Sequence, residues 1–211
     1  MTLGQTSMKD SLQIARVNSV AIFDNPEDML SHVEALQALE KQRAISLLLL
    51  SVKEIISQPD ETPALGVAKN LFDTLSWKTH VGCANPVAWF KNRSENKTLI
   101  KLNQTLSEQK TAAQLESFLA RHNKFIKAQI TRLVAIEQQE NFLITLIAFH
   151  EINRQDQPMV AGILHRLVKG TPAHFRILSV GEPTLFRKDS LGEEGIQLNH
   201  DYIEINMARG I

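Results

Sequence analysis

At 211 residues the chain is long enough to bury about 70% of the surface its unfolded form exposes, which calls for one large core with at most a small appendage. Its 23 basic residues balance 23 acidic ones, so the electrostatic footprint of a nucleic-acid binder is missing and no nucleic-acid partner is expected. The single cysteine makes no internal disulfide, the start MTLGQTSMKDSLQ lacks a basic-then-apolar secretory pattern, and the longest apolar runs fall well short of the roughly 20 residues that cross a bilayer, so a cytoplasmic protein without a membrane span is expected.

In chain order, LQIARVNSVAIF at 12–23 shows partial alternation and reads as a strand, a short helix or an ordered arm. Asn25, Pro26, Glu27 and Asp28 then make a helix start: Asn caps, Pro tolerates the first helical position, and the acids favour the positive end of the dipole. Met29, Leu30, Val33, Leu36 and Leu39 recur at helical spacing, and the pattern carried through ISLLLLSVKEII predicts one long helix, or two abutting ones, to Ile56. Pro59 and Pro63 break it. A second helix carries Leu65, Ala68, Leu71, Phe72 and Leu75, and KNRSENK at 91–97 reads as a solvated loop.

Ser107 is a cap candidate for a helix bearing Leu115, Phe118 and Leu119. Helical spacing resumes at Phe125 and runs toward Ile152, although FLITLIAF at 142–149 fits a buried strand equally well. MVAGILHRLV forms a short helix stopped by Gly170 and Pro172. Beyond it the chain alternates: HFRILSV at 174–180 and TLFRK at 184–188 flank the turn residues GEP and predict a β-hairpin, while IQL and YIEINM each predict a strand. The expected fold class is therefore α+β, a mainly helical N-terminal two-thirds followed by a small antiparallel sheet. A weak division would separate a helical region, 1–78, from a C-terminal core, 79–211.

Chemistry has few places to sit. The seven histidines include no H-x-x-x-H pair, C-x-x-C and HExxH are missing, and neither GxxxxGK nor GxGxxG occurs among the nine glycines, so no metal and no nucleotide cofactor is expected. Thiol chemistry needs a thiolate, a histidine to take its proton, and an oriented acid. Cys83, in VGCANPVAWF, would sit at or just before a helix N-terminus, which favours the thiolate. His174 opens one expected strand and Asp189 closes the next, and a hairpin around GEP would bring them to the same end of a ribbon. Against this, a lone cysteine is most often a small buried apolar residue, and Asp before Ser-Leu-Gly is ordinary turn chemistry.

The order Cys83, His174, Asp189, with G-C-A-x-x-x-x-W, AHFRILSV and KDSLGEEG, resembles the papain-like thiol hydrolases of bacterial effectors, that is, the YopT-type cysteine proteases and related glutamine deamidases. The resemblance covers roughly residues 80–206. It implies a papain-like core, Cys83 as nucleophile, His174 as general base and Asp189 as orienter, acting without a cofactor on an amide of a protein substrate. It also implies a host-protein target and delivery into a host cell. The chain departs from the pattern where Asp189 is followed by Ser190 and Leu191 in place of Pro-Asn, and where Trp77 stands six positions before Cys83 instead of an oxyanion donor. HFRIL with DSLG also resembles the ubiquitin-like-protein proteases, whose His-Asp-Cys order would require a fragment or an inactive relative. The competing class is a non-catalytic helical interaction protein whose C-terminal sheet meets a partner.

Overall fold

The structure, a computed structural model, describes residues 16–56, 62–81, 93–109, 111–137, 142–189 and 192–207. Its helices are α1 (Pro26–Lys41), α2 (Val52–Ile56), α3 (Pro63–Val81), α4 (Arg93–Ser107), α5 (Ala112–Glu137) and α6 (Gln157–Val168). Its strands are β1 (Ser19–Phe23), β2 (Ser46–Ser51), β3 (Phe142–Ile147), β4 (Ala173–Val180), β5 (Phe186–Asp189), β6 (Gly192–Gly195) and β7 (Ile203–Asn206).

Five strands form one sheet in the order β2-β3-β4-β1-β7, and every neighbouring pair is parallel. Among the described residues only β5 and β6 pair antiparallel, in a separate two-stranded sheet. The protein is thus α/β around a parallel sheet, and the expected α+β fold with a papain-like antiparallel core is overturned. Parallel strands need crossovers, and helices supply those between β1 and β2, β2 and β3, and β3 and β4. This buries the inner strands and removes the in-out alternation that marks an antiparallel sheet. The connection from β4 to the largely exposed edge strand β7 runs through β5 and β6.

The two faces are built differently. Val20, Leu48, Leu50, Ile144, Phe175 and Ile177 point into the larger core, shared with buried residues of α2 through α6. The opposite face carries one described helix, α1, whose Met29, Val33, Leu36 and Leu39 bury against Ala21, Phe23, Leu47, Leu143 and Leu178. The sheet draws β1 and β2 from before residue 78 and β3, β4 and β7 from after it.

Several local expectations change accordingly. The long helix expected over 26–56 is α1, then strand β2 over SLLLLS, then the short α2. Asn25 does cap α1, its Oδ1 accepting from the Asp28 N–H at 2.9 Å. FLITLI is the strand β3, next to β4 in the middle of the sheet. Within KNRSENK, the part from Arg93 begins α4, whose charged residues belong to a helix start and not to a loop. HFRILSV and TLFRK do not form a hairpin: β4 lies between β1 and β3, while β5 pairs with β6.

The β5–β6 sheet is tied down at its end by Gly195, whose backbone stands at φ +108. A Cβ there would collide with the Leu185 carbonyl, which accepts a hydrogen bond from the Ile196 N–H at 2.8 Å. Gly195 also packs against Gly162 of α6, so this small sheet is fixed to the helix side of the larger one.

Candidate functional site

Of the sequence-derived residues, His174 and Asp189 stand in different sheets and Cys83 lies outside the described residues. Cys83 and Trp89 fall in 82–92, outside the described residues. His174 is the second residue of β4, half-buried, and burial lowers its pKa. Asp189 ends β5, opposite Gly192 of β6. Because the hairpin that was to join His174 to Asp189 is not formed, strand pairing does not bring them together. His174 also sits at the amino end of its strand, whereas open parallel sheets bind ligands beyond the carboxyl ends.

The carboxyl-end crevice falls between β1 and β4, because α1 leaves β1 on one face and the segment after β4 leaves on the other. Its polar groups are engaged internally. The Gly181 N–H donates to the Phe23 carbonyl at 2.9 Å, and the Val180 N–H donates to His150 Nδ1 at 3.1 Å. Ser179 Oγ donates to the Gly181 carbonyl at 3.0 Å. The N-terminus of α1, which an anion would need, is capped by Asn25 and carries Glu27 and Asp28 in its first turn. The crevice is therefore stitched shut and locally acidic, the opposite of a phosphate cradle.

Under α1 lies a polar row that the sequence did not announce. Ser19, Arg176 and Thr145 occupy one register position across β1, β4 and β3 and face α1. Arg176 is 1% exposed; its Nε donates to Ser19 Oγ at 3.1 Å and its Nη1 lies 3.2 Å from His32 Nε2. Guanidinium is a donor only, so His32 must accept there and carry its ring proton on Nδ1. Burial, reinforced by the Arg176 charge, holds the His32 pKa down at about 4, and burial alone lowers Arg176 to about 10.

A second polar group sits beside α6. His165 Nε2 lies 3.5 Å from Asp201 Oδ1, which is also 2.9 Å from His200 Nδ1. Burial lowers the His165 pKa, and Lys169, His200 and Lys127 add to this, together outweighing Asp201. Burial pushes Asp201 up, but the Gln197 N–H and the two histidines bring it below its usual value. His165 lines a groove of about 530 Å³ with Arg166, Lys169 and Arg187, where Glu116 and Glu194 neutralise the two arginines. The described lining of this groove includes His165, with Asp201 behind it, but no hydroxyl or thiol for the pair to activate. Among the described residues no cluster of three or more His, Cys, Asp or Glu side chains is placed to hold a metal ion.

A larger groove, about 680 Å³, runs between the β5–β6 sheet and β7 and is lined by Pro183, Leu185, Phe186, Leu198, Tyr202 and Glu204, among others. Phe186 and Leu198 stay 37% and 47% exposed. Burial raises the Tyr202 pKa, and the Glu204 and Glu182 carboxylates raise it further. Lys188 at the same groove is engaged by Glu193 at 2.7 Å, whereas Glu182 and Glu204 have no ion-pair partner among the described residues. The sequence signal for this groove was slight: IQL and YIEINM read only as strands, and GEP only as a turn.

No family model, no curated protein and no solved structure matches this chain. Among the described residues no helix is long and apolar enough to cross a membrane.

The part-buried His32 fixes a pH dependence. An unfolded chain protonates His32 near pH 6.5, whereas the folded chain resists until about pH 4. Between those values the unfolded state binds the extra proton, so stability falls as pH falls, by about 3 kcal/mol across the window. Urea denaturation from pH 7 to pH 4 measures this slope. His32→Gln, whose carbonyl still accepts from Arg176, should remove that share of it.

Proposed function

We propose that the chain is a protein-binding module and that the groove between the β5–β6 sheet and β7 holds an extended apolar segment of a partner carrying a basic residue. The observation that carries this reading is the combination of exposed Phe186 and Leu198 with Glu182 and Glu204, two carboxylates without an ion pair among the described residues, around the Tyr202 phenol. The carboxylates of this groove outnumber its cations, Arg154 and Lys188. Apolar anchors supply affinity in such a groove, and its excess of carboxylates selects the charge of the occupant. The stitched carboxyl-end crevice agrees with a role in binding, because its backbone donors are spent within the fold.

Fluorescence anisotropy with labelled extended peptides tests the reading. A peptide alternating leucine and lysine should bind, and its aspartate counterpart should not. Leu198→Asp should weaken binding about tenfold or more, and Glu204→Lys should shift preference toward the acidic peptide. Equal binding of both peptides, or affinity unchanged in Leu198→Asp, would refute it.

The thiol-hydrolase reading rests on Cys83 and the resemblance alone, without the hairpin that linked His174 to Asp189. For a binding module, Cys83 should react with iodoacetamide near pH 6 at the rate of an unperturbed thiol, unchanged by His174→Ala. Fast alkylation that His174→Ala abolishes would reinstate the enzyme.

A further inference from the structure

Arg176 is a buried cation whose contacts are incomplete. It lies in the sheet interior at 1% exposure, with β1 on one side and β3 on the other. Ser19 accepts from Nε and His32 meets Nη1, but Nη2 is buried with no hydrogen-bond partner. No carboxylate among the described residues forms an ion pair with it. In the same register row, on the neighbouring strand, the Thr145 hydroxyl is also buried without a partner. Two donors, one of them charged, thus share one face of the sheet under α1 with no acceptor for them among the described residues.

An acceptor that also carries negative charge answers both deficits. Water would satisfy hydrogen bonding but would leave a desolvated guanidinium without a counter-charge, and such a charge is among the most costly things a fold can bury. The residues around the row, Ala21, Phe23 and Leu178 with Met29 and Val33 of α1, are apolar and buried and offer no acceptor side chain of their own. His32 adds no positive charge, since it must accept from Arg176. His174, two residues earlier on β4 and on the same face, also favours its neutral form through burial.

We propose that Arg176 and Thr145 bind a halide-sized monovalent anion, chloride in the cell, between α1 and the sheet. The ion accepts from Nη2 and from the Thr145 hydroxyl, supplies the counter-charge for β4, and fixes α1 to the face it covers. It acts on stability and docking of α1, and is independent of the groove beyond β7.

Crystals of the full chain grown or soaked in sodium bromide test this directly. An anomalous bromide peak within hydrogen-bond reach of Arg176 Nη2 and Thr145 Oγ1 is expected. Thermal melting at constant ionic strength provides the solution arm: replacing gluconate with bromide or chloride should raise the midpoint, saturably, by about 3 °C. Thr145→Val, which keeps the charge and the shape, should lower the halide affinity severalfold. Arg176→Met should abolish the halide effect, and if it does not fold, Thr145→Val still decides. Bromide peaks only at the surface, or a midpoint identical in halide and gluconate, would overturn the proposal.

Discussion

The structure depends on the parallel pairing of β1 with β4. Residues 19–23 align one for one with residues 176–180, joining the start of the described chain to a strand more than 150 positions later. This pairing puts β4 inside the sheet, leaves β1 between β4 and β7, and sends the two following connections to opposite faces. Closing so long a loop costs entropy early in folding, so the interior row must be well satisfied to hold. Most of it is apolar. Ser19, Arg176 and Ser179 are the polar exceptions in this pairing, and the bonds of Arg176 to Ser19 and His32 tie β4 both to β1 and to the covering helix.

That one position explains much of what the sequence concealed. In AHFRILSV, His174 and Arg176 look like the solvent-facing half of an antiparallel alternation, yet Arg176 is almost wholly buried and His174 half so. Polar residues spaced by two signal a wet face only when that face is wet; here α1 lies across it. SLLLLS failed for the complementary reason. A strand covered on both faces has no period, and a continuous apolar run after a good helix was read as more helix. What local chemistry alone decides was legible: the Asn25 cap and the short helix ending before Gly170.

The candidate sites were less legible than the elements. A groove assembled from Pro183, Phe186, Leu198 and Tyr202 draws on three separate turns and strands, and no linear pattern announces such a surface. The thiol reading failed to gain support for a related reason. It rested on a hairpin, and hairpin geometry is local only if neighbouring strands pair with each other. In this chain β4 and β5 belong to different sheets. The turn chemistry of GEP was real, but it serves a change of sheet, with Gly181 held to Phe23 and Thr184 to Gln157 at 2.7 Å.

Hydrogen-bond scalar couplings in deuterated, labelled protein test the β1–β4 pairing most directly. The pairing predicts a coupling between the Gly181 amide nitrogen and the Phe23 carbonyl carbon, which are joined through a 2.9 Å hydrogen bond. Its absence, with couplings instead linking residues 174–180 to 184–188, would restore the antiparallel hairpin and contradict the fold described.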